Sequence, residues 1–489
     1  MAETHRQPKA SPTVTSTLSP LTSGRPNILL IHADQHRYDC VGANGHALVR
    51  TPAMDRLAAE GANFRHAFCP IALCVPTRCS LMTGVWPTTH GVLVNIGVEG
   101  ARALRADLPS FSQALREAGY WLGYVGQWHV DPHRGPADFG FHEYVPDGAY
   151  GPWREAQGLP PRPWTNQWFG EADPGIAPAQ SQLAWGADET IRLLRDRARR
   201  AGGTPGGEPF FLRWDPTEPH LPNVVPEPYA SMYPPETIAP WPGFDDPLVG
   251  KPYIQAQQRR TWGLDGWTWD RWAPVVGRYL GEVSLLDAQL GRILDALDEL
   301  HLAERTLVIY SADHGDLCGS HGMIDKHYVM YDDIVRVPLI VRWPGRVPAG
   351  RTCDAFVASS VDLARTFCEA GGVRPPETFQ GRSIVAAIDG SDGPPRRDIF
   401  ASYHGGQFGL YSQRMVREVR WKYVWNATAE DELYDLQADP GELTNRATDP
   451  ARAAELARLR ARMVVWLEQT GDPILNFWTR PQLLEGRKV

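Results

Sequence analysis

The sequence predicts an α/β protein, with a doubly wound, mostly parallel sheet flanked by helices and then a smaller antiparallel-sheet domain. Segments 27–31 (NILLI) and 306–310 (TLVIY) are apolar after their first residues, which is typical of central parallel strands buried on both faces. Amphipathic helical patterns alternate with such strands, and the longest runs from 279 to 300. After residue 371 the pattern changes to short polar strands, which indicates a second, antiparallel unit.

These changes in pattern divide the 489 residues into three parts. We expect a disordered tail at 1–25, the α/β domain at 26–371 and the smaller domain with a terminal tail at 372–489. Residues 234–273 carry five tryptophans among prolines and charges, and we interpret them as an insertion that packs on itself or on the α/β domain rather than contacting substrate. The apolar residues after Gly471 indicate a surface that a second copy of the chain could cover.

Composition excludes several classes of protein. The chain has 49 Lys and Arg against 57 Asp and Glu, a formal net charge of −8, which argues against nucleic-acid binding. No segment approaches the roughly 20 apolar residues that span a bilayer, so we expect no membrane association. The first 25 residues lack the apolar run of a signal peptide. Seven scattered cysteines, an odd number, favour reduced thiols and a cytoplasmic location.

Polar side chains follow both apolar strands directly. Asp34 and Gln35 come after the first strand, and Asp313 and His314 come after the second. A lone aspartate is usually a helix cap or a turn residue. Because the carboxyl ends of parallel strands meet at one edge of a sheet, two acids in this position favour a shared crevice.

The string Cys74-Val-Pro76-Thr77-Arg78 is the most informative in the chain. Pro76 is suited to the first turn of a helix, where its missing N–H is not needed. Cys74 would then lie at a helix N-terminus, where free N–H groups favour negative charge, and Arg78 would lie on the same helix face. A buried cysteine beside a structural salt bridge explains the string equally well.

This string resembles the Cys-x-Pro-Ser/Thr-Arg motif of the sulfatase family, in the alkaline phosphatase superfamily. In that family a formylglycine-generating enzyme converts the cysteine to formylglycine. Further landmarks of the family occur in the family's order between about residues 25 and 445. They are Asp34-Gln35, Gly126-Gln127-Trp128-His129, Pro219-His220, Ser311-Ala-Asp313-His314-Gly315, Asp325-Lys326, Glu432-Leu-Tyr-Asp-Leu and Asp439-Pro-Gly-Glu.

The resemblance implies an alkaline-phosphatase-like fold and one divalent metal ion. Its ligands would be Asp34, Gln35, Asp313, His314 and the modified residue 74. An oxygen-rich set suits Ca²⁺ or Mg²⁺, whereas the imidazole of His314 moves the preference toward Mn²⁺. Gln and His at these two positions are similar to the phosphonate monoester hydrolase and choline-sulfatase branches.

The resemblance also implies a mechanism. One hydroxyl of the formylglycine hydrate attacks the ester to form a covalent sulfo-enzyme intermediate, and His129 assists the second hydroxyl in expelling sulfate. Arg78 would hold the oxyanion and the hydrate. His220 and Lys326 would bind the transferred group and protonate the departing alkoxide.

Gln127 departs from the family, which has a substrate-binding lysine at this position. Loss of a cation 3–4 Å from the transition state would cost about a few kcal/mol. We therefore expect a sulfuric ester hydrolase acting on a small or aryl sulfate, with a phosphonate monoester or phosphodiester hydrolase as the alternative. A non-catalytic protein is disfavoured because the other site residues are retained, and a two-zinc phosphatase because too few extra His and Asp residues cluster.

Overall fold

The computed structural model describes residues 24–200, 207–389, 394–405, 409–486 and 488. The tail predicted at 1–25 lies outside these residues, except for its last two. The strands in chain order are β1 Asn27–Ala33, β2 Ala62–Phe68, β3 Trp121–Gly126, β4 Glu143–Pro146, β5 Glu171–Ala172, β6 Phe210–Asp215, β7 Val224–Val225, β8 Thr306–Ala312, β9 Leu339–Arg342, β10 Arg351–Ala358, β11 Asp398–Gly405, β12 Tyr411–Glu418, β13 Trp421–Asn426 and β14 Glu432–Asp435. The α-helices in chain order are α1 Pro52–Glu60, α2 Cys74–Thr83, α3 Pro87–His90, α4 Phe111–Glu117, α5 Tyr150–Ala156, α6 Gln182–Arg200, α7 Tyr253–Thr261, α8 Trp269–Glu299, α9 Asp332–Val335, α10 Ser359–Ala370, α11 Ile384–Asp389, α12 Ala453–Thr470 and α13 Thr479–Glu485.

Eight strands form the main sheet in the order β10-β2-β9-β8-β1-β6-β3-β4. Within this sheet only β9 runs antiparallel to its neighbours. A separate antiparallel sheet has the order β11-β12-β13-β14. The predicted fold class is therefore confirmed, while the domain boundary at residue 371 stays a prediction.

The centre of the main sheet places two acids side by side. Every residue of β1 and of β8 is buried, as their apolar sequences predict. The two strands are parallel and in register to their last residues, with Ala33 opposite Ala312. Asp34 and Asp313 follow these residues directly, so the strand pairing itself brings the two carboxylates together.

One predicted helix boundary is wrong. Helix α8 begins at Trp269 rather than 279, so the last residues of the predicted insertion belong to this helix. Pro274 lies inside the helix, where Trp272, Val275 and Val276 bury their side chains and offset the one hydrogen bond that proline cannot make. Strands β12 and β13 form an antiparallel hairpin in the region where short strands are predicted.

Other features bear on the compositional predictions without testing them. All seven cysteines are free and buried. Among the described residues, no helix combines the length and the apolarity that crossing a membrane requires. Phe477 and Trp478 in the terminal tail are 79% and 74% exposed. The cytoplasmic location and the covering of the tail by a second copy stay predictions.

Asp287 of α8 provides a pH-dependent contribution to stability that can be tested. Its carboxylate accepts hydrogen bonds from the N–H groups of Ala53 (3.0 Å) and Met54 (2.8 Å) at the start of α1. Burial raises the pKa of Asp287 to about 7. Because the folded protein binds this proton more tightly than the unfolded chain, ionisation of Asp287 opposes folding increasingly as pH rises from about 4 to about 7.

Asp287→Asn removes this ionisation. The free energy of unfolding of the variant minus that of the wild type should therefore become more positive by roughly 2 kcal/mol between pH 5 and pH 8. Urea unfolding at both pH values measures the difference. A difference that does not change with pH would contradict the assignment.

Candidate active site

The carboxyl edge of β1 and β8 forms the floor of the site. Asp34 and Asp313 are buried there, together with Gln35 and His314. The backbone N–H groups of Gln35 (3.1 Å) and His314 (2.9 Å) both donate to Asp313 Oδ1. Gly315 allows the backbone after His314 to pass close to Asp333, because a Cβ at this position would lie 2.0 Å from the carbonyl oxygen of Asp333.

Cys74 is the first residue of helix α2, as its string predicts. Leu73 precedes the helix in an extended conformation, and all ten residues of α2 are buried. The free N–H of Val75 donates to Asn95 Oδ1 at 3.1 Å, and Asn95 Nδ2 lies 3.9 Å from the Cys74 sulfur. Asn95 is a site residue that sequence reasoning missed, since no motif surrounds it.

Asp34, Cys74, Asp313 and His314 converge so that one ligand atom from each lies within 4.8 Å of all the others. His314 Nε2 lies 3.2 Å from Cys74 Sγ and 3.7 Å from an oxygen of each aspartate. His314 Nδ1 lies 2.9 Å from the Gly315 carbonyl oxygen and donates to it, so Nε2 directs its lone pair into the cluster. This is the arrangement of a histidine that binds a metal.

The electrostatics of the cluster favour a cation. Burial and then the neighbouring Asp313 and Cys74 raise the pKa of Asp34 to about 6. Burial opposes ionisation of Cys74 as well, but Lys326 and His314 outweigh it and hold the pKa of the thiol well below its ordinary value. The carboxyl groups of Asp34 and Asp313 and the thiol of Cys74 therefore lie close together in a buried space. When they are ionised, a divalent ion would relieve the repulsion between their negative charges.

Arg78 lies beneath the cluster and joins three carboxylates. Its Nε donates to Asp313 (3.1 Å), its Nη1 to Asp215 (2.5 Å) and its Nη2 to Asp34 (3.1 Å). All four side chains are buried. The predicted oxyanion-binding arginine is thus also the counter-ion of the carboxylates.

Asp215 is a second residue that sequence reasoning missed. It ends β6, in which the segment 210–214 is apolar except for Arg213, a pattern close to the one that identified Asp34 and Asp313. Although burial disfavours its charge, Arg213 together with Arg78 keeps the pKa of Asp215 well below its ordinary range. Asp215 is therefore a permanent anion that orients the guanidinium of Arg78.

Lys326 and His220 close one side of the site. Lys326 Nζ donates to His220 Nε2 and to Gln35 Oε1, both at 2.7 Å. His220 Nδ1 lies 2.6 Å from the carbonyl oxygen of Leu221 and donates to it, so Nε2 is the acceptor. The amide of Gln35 also donates to Asp316, so both ends of the side chain are engaged outside the cluster of ligand atoms. Both polar atoms of the Gln35 side chain therefore already have partners, and its role as a metal ligand stays a prediction.

Gln127 and His129 occupy the opposite side, after β3. Gly126 has a φ of +108°, and a Cβ there would lie 2.0 Å from the carbonyl oxygen of Asp215, so only glycine permits this turn. Gln127 Nε2 lies 3.5 Å from His129 Nδ1. Gln127 Oε1 is buried and has no hydrogen-bond partner among the described residues. The neutral amide therefore has a free acceptor at the position where the family has a lysine.

A cavity of about 920 Å³ opens onto these groups. Asp34, Cys74, Gln127, His129 and His220 all line it. A second cavity of about 270 Å³, beside β10 and α11, contains none of them. The structure thus brings the ten predicted site residues to one place, and their individual roles stay predictions.

The buried guanidinium of Arg78 gives a direct test of this geometry. Arg78→Ala should lower the free energy of unfolding by about 3–5 kcal/mol, because it leaves the buried carboxylates of Asp34 and Asp313 without their guanidinium counter-ion, while Asp215 keeps Arg213. Arg374→Ala is the matched control, since this arginine is 85% exposed and, among the described residues, pairs only with Glu377, and it should change stability by less than about 0.5 kcal/mol. Chemical unfolding measures both variants, and equal stability of the two would contradict the role of Arg78.

Comparison with known proteins agrees with the site. The family model described as "Sulfatase" matches residues 26–373, and that described as "N-sulphoglucosamine sulphohydrolase, C-terminal" matches residues 319–469. An arylsulfatase of Clostridium perfringens is 27% identical, with 91% of this chain and 95% of the relative covered. A choline-sulfatase of Rhizobium meliloti is 26% identical, with 90% and 86% covered.

A solved structure is similar over the same extent. The phosphonate monoester hydrolase of Agrobacterium radiobacter superposes with a TM-score of 0.78 at 28% identity, covering 91% of this chain and 96% of that one. The family model alone matches well over half of the chain. The chain therefore belongs to the sulfatase family of the alkaline phosphatase superfamily and is a sulfuric ester hydrolase.

Proposed function

We propose that the chain hydrolyses sulfate esters with one divalent metal ion and with formylglycine at position 74, through a covalent sulfo-enzyme intermediate. The observation that carries the proposal is the convergence of Asp34, Cys74, Asp313 and His314 within 4.8 Å at the N-terminus of a buried helix. Once a cysteine in this position is converted to an aldehyde, the hydrate of that aldehyde can supply a hydroxyl group as the nucleophile for hydrolysis. The modification requires a formylglycine-generating enzyme as a partner.

Asp34, Asp313, His314 and residue 74 would hold the metal. Carboxylate oxygens suit Ca²⁺ and Mg²⁺, and the imidazole supports Mn²⁺. We retain Gln35 in the ligand set from its position after Asp34, although its amide contacts Lys326 and Asp316. A bound divalent ion would act as a Lewis acid that lowers the pKa of the nucleophile.

The formylglycine hydrate would supply two hydroxyl groups, one to attack sulfur and one to expel sulfate. The chain provides the groups that handle the protons and the charge. His129 lines the cavity beside Gln127 and is placed to accept a proton from position 74. Arg78, fixed by its three carboxylates, presents positive charge beneath the nucleophile and stabilises the oxyanion there.

Lys326 and His220 act on the leaving group. Burial lowers the pKa of Lys326, but Asp325 and then Cys74 outweigh this effect and hold it above its ordinary value, so the ammonium stays charged. The hydrogen bond from Lys326 to His220 Nε2 connects this charge to an imidazole that lines the cavity. Together they bind the transferred group and deliver a proton to the departing oxygen.

Hydrolysis of phosphonate monoesters or phosphodiesters is the second candidate. Gln127 is a neutral amide at the position where the sulfatase family has a substrate-binding lysine, and this departure favours an ester other than a sulfate. The similarity to a phosphonate monoester hydrolase structure supports the same candidate.

Metal dependence tests the proposal. Chelation should abolish turnover of para-nitrophenyl sulfate, and Asp313→Ala should lose bound metal and at least about a hundredfold in kcat/KM. Asp354→Ala is the control, because Asp354 is 66% exposed and far from the cluster in the sheet order. Metal analysis and steady-state kinetics provide the two readouts. Full activity of the metal-free Asp313→Ala protein would exclude the proposal.

Gln127→Lys separates the two candidate functions. If Gln127 is a plain replacement of a lysine in a sulfatase, the variant should raise the ratio of kcat/KM for para-nitrophenyl sulfate to that for para-nitrophenyl phenylphosphonate. The reason is that the variant restores the lysine that contacts the sulfate group in the family. A fall in the ratio would instead support the phosphonate hydrolase.

A further inference from the structure

Lys326, the cation on the leaving-group side of the site, is in contact with residues that no step of the proposed function uses. We propose that His327 and Tyr403 are positioning residues that align the ammonium group of Lys326 with the leaving group. They act through the carboxylate of Asp325. The small antiparallel sheet, to which Tyr403 belongs, then contributes to the rate of ester cleavage. This inference rests on the roles of Lys326 and His220 in the proposed function.

Three partners surround the ammonium group of Lys326. Nζ donates to His220 Nε2 and to Gln35 Oε1, both at 2.7 Å, which directs two of its three N–H groups. Asp325 Oδ1 lies 3.2 Å from Nζ but accepts no hydrogen bond among the described residues, so this contact is an ion pair without hydrogen-bond geometry. The direction of the third N–H therefore depends on what orients the carboxylate of Asp325.

His327 contacts the other oxygen of this carboxylate. Its Nε2 lies 3.3 Å from Asp325 Oδ2, and both side chains are buried. We assign the ring proton to Nε2 because this nitrogen faces a carboxylate, and Nδ1 then accepts a hydrogen bond from the Tyr403 hydroxyl at 3.3 Å. A continuous chain of contacts thus leads from Tyr403 through His327 and Asp325 to Lys326.

The backbone on both sides of Lys326 is in an unfavourable conformation. Asp325, His327 and Tyr328 have φ angles of +67°, +88° and +53°, in the left-handed region that residues with a Cβ rarely adopt. Such a conformation persists only where the surrounding structure determines it, and it is typical of functional sites. The segment 325–328 is therefore held in place by its contacts rather than by its own preference.

Those contacts come from two other parts of the chain. Gln258 of α7 donates through Nε2 to the carbonyl oxygen of Lys326 at 2.8 Å. The Tyr328 hydroxyl donates to the carbonyl oxygen of Gly409, between β11 and β12, at 3.0 Å. Tyr403 lies on β11 of the same small sheet. The position of the Lys326 side chain thus depends on a sheet that contributes no group to the cavity around Cys74.

Alignment of the proton donor matters most for a basic leaving group. When the S–O bond breaks, the departing oxygen keeps the electron pair, and a strongly basic oxygen needs a proton at that moment. Phenolate is more basic than para-nitrophenolate, so misalignment of Lys326 should slow cleavage of phenyl sulfate more than that of para-nitrophenyl sulfate. A purely structural residue would lower both rates by the same factor, because it changes only the amount of folded enzyme.

Tyr403→Phe tests the inference in the full chain, co-expressed with a formylglycine-generating enzyme. The ratio of kcat/KM for phenyl sulfate to that for para-nitrophenyl sulfate should fall about fivefold, the loss expected for one hydrogen bond. Tyr411→Phe is the matched control, because this buried tyrosine of the neighbouring strand donates its hydroxyl to Asn426 at 3.0 Å rather than to His327. Its ratio should equal that of the wild type. An unchanged ratio in Tyr403→Phe would overturn the inference.

His327 offers a second pair of variants with the same backbone cost, since both replacements take the positive φ of this position. His327→Leu should lower the ratio about tenfold, whereas His327→Gln keeps an Nε2 that can donate to Asp325 and should restore the ratio to within about twofold of the wild type. Equal losses for the two esters in His327→Leu would contradict the positioning role. If His327→Leu does not fold, Tyr403→Phe decides the question alone.

Turnover by the wild type separates this inference from the proposed function. Absence of turnover with both sulfates would count against the proposed function. The ratio is then measured in the same variants with phenyl phenylphosphonate and para-nitrophenyl phenylphosphonate, whose departing oxygens are the same. Hydrolysis of none of the four esters would contradict both the proposed function and the positioning of Lys326.

Discussion

The site depends on one buried guanidinium held between three carboxylates. Arg78 contacts Asp34, Asp215 and Asp313, which come from the ends of three neighbouring strands, β1, β6 and β8. Bringing these acids into a space without solvent would be prohibitive without a counter-ion, because each buried charge loses its hydration. The arginine makes the arrangement stable, and helix α2 carries both that arginine and the nucleophilic position four residues before it. The side chain of Arg78 therefore contributes both to the stability of the fold and to the chemistry of the site.

The sheet topology explains why the acids meet at this point. Strand β1 lies between β8 and β6, and all three run parallel, so their carboxyl ends share one edge. Loops from this edge carry the remaining groups, with Gln127 and His129 after β3 and His220 after β6. Lys326 returns to the site from the long segment between β8 and β9. The function thus lies on loops, while the strands determine where those loops begin.

The strand ends and the helix start at Cys74 could be predicted because their signals are local. Uniformly apolar strands followed by acids identified Asp34 and Asp313, and the family motif identified residues 74 and 78. Asp215 also ends a buried strand but was missed, because Arg213 interrupts the apolar run before it. Asn95, Asp316 and the pairing of Lys326 with Gln35 could not be predicted, because the partners are distant in sequence, 291 residues apart for the last pair. The early start of α8 was missed because its first residues were assigned to the Trp-rich insertion, and their burial depends on tertiary packing that no local pattern reports.

The central claim is that residue 74 of the active protein is formylglycine in a metal-binding cluster. Mass spectrometry of the tryptic peptide 66–78, isolated from active protein after alkylation, tests it most directly. This peptide also contains Cys69, a buried thiol outside the cluster that provides an internal control. The account predicts an alkylated Cys69 beside an aldehyde at position 74 that reacts with a hydrazide. Two alkylated cysteines throughout a catalytically active sample would contradict it.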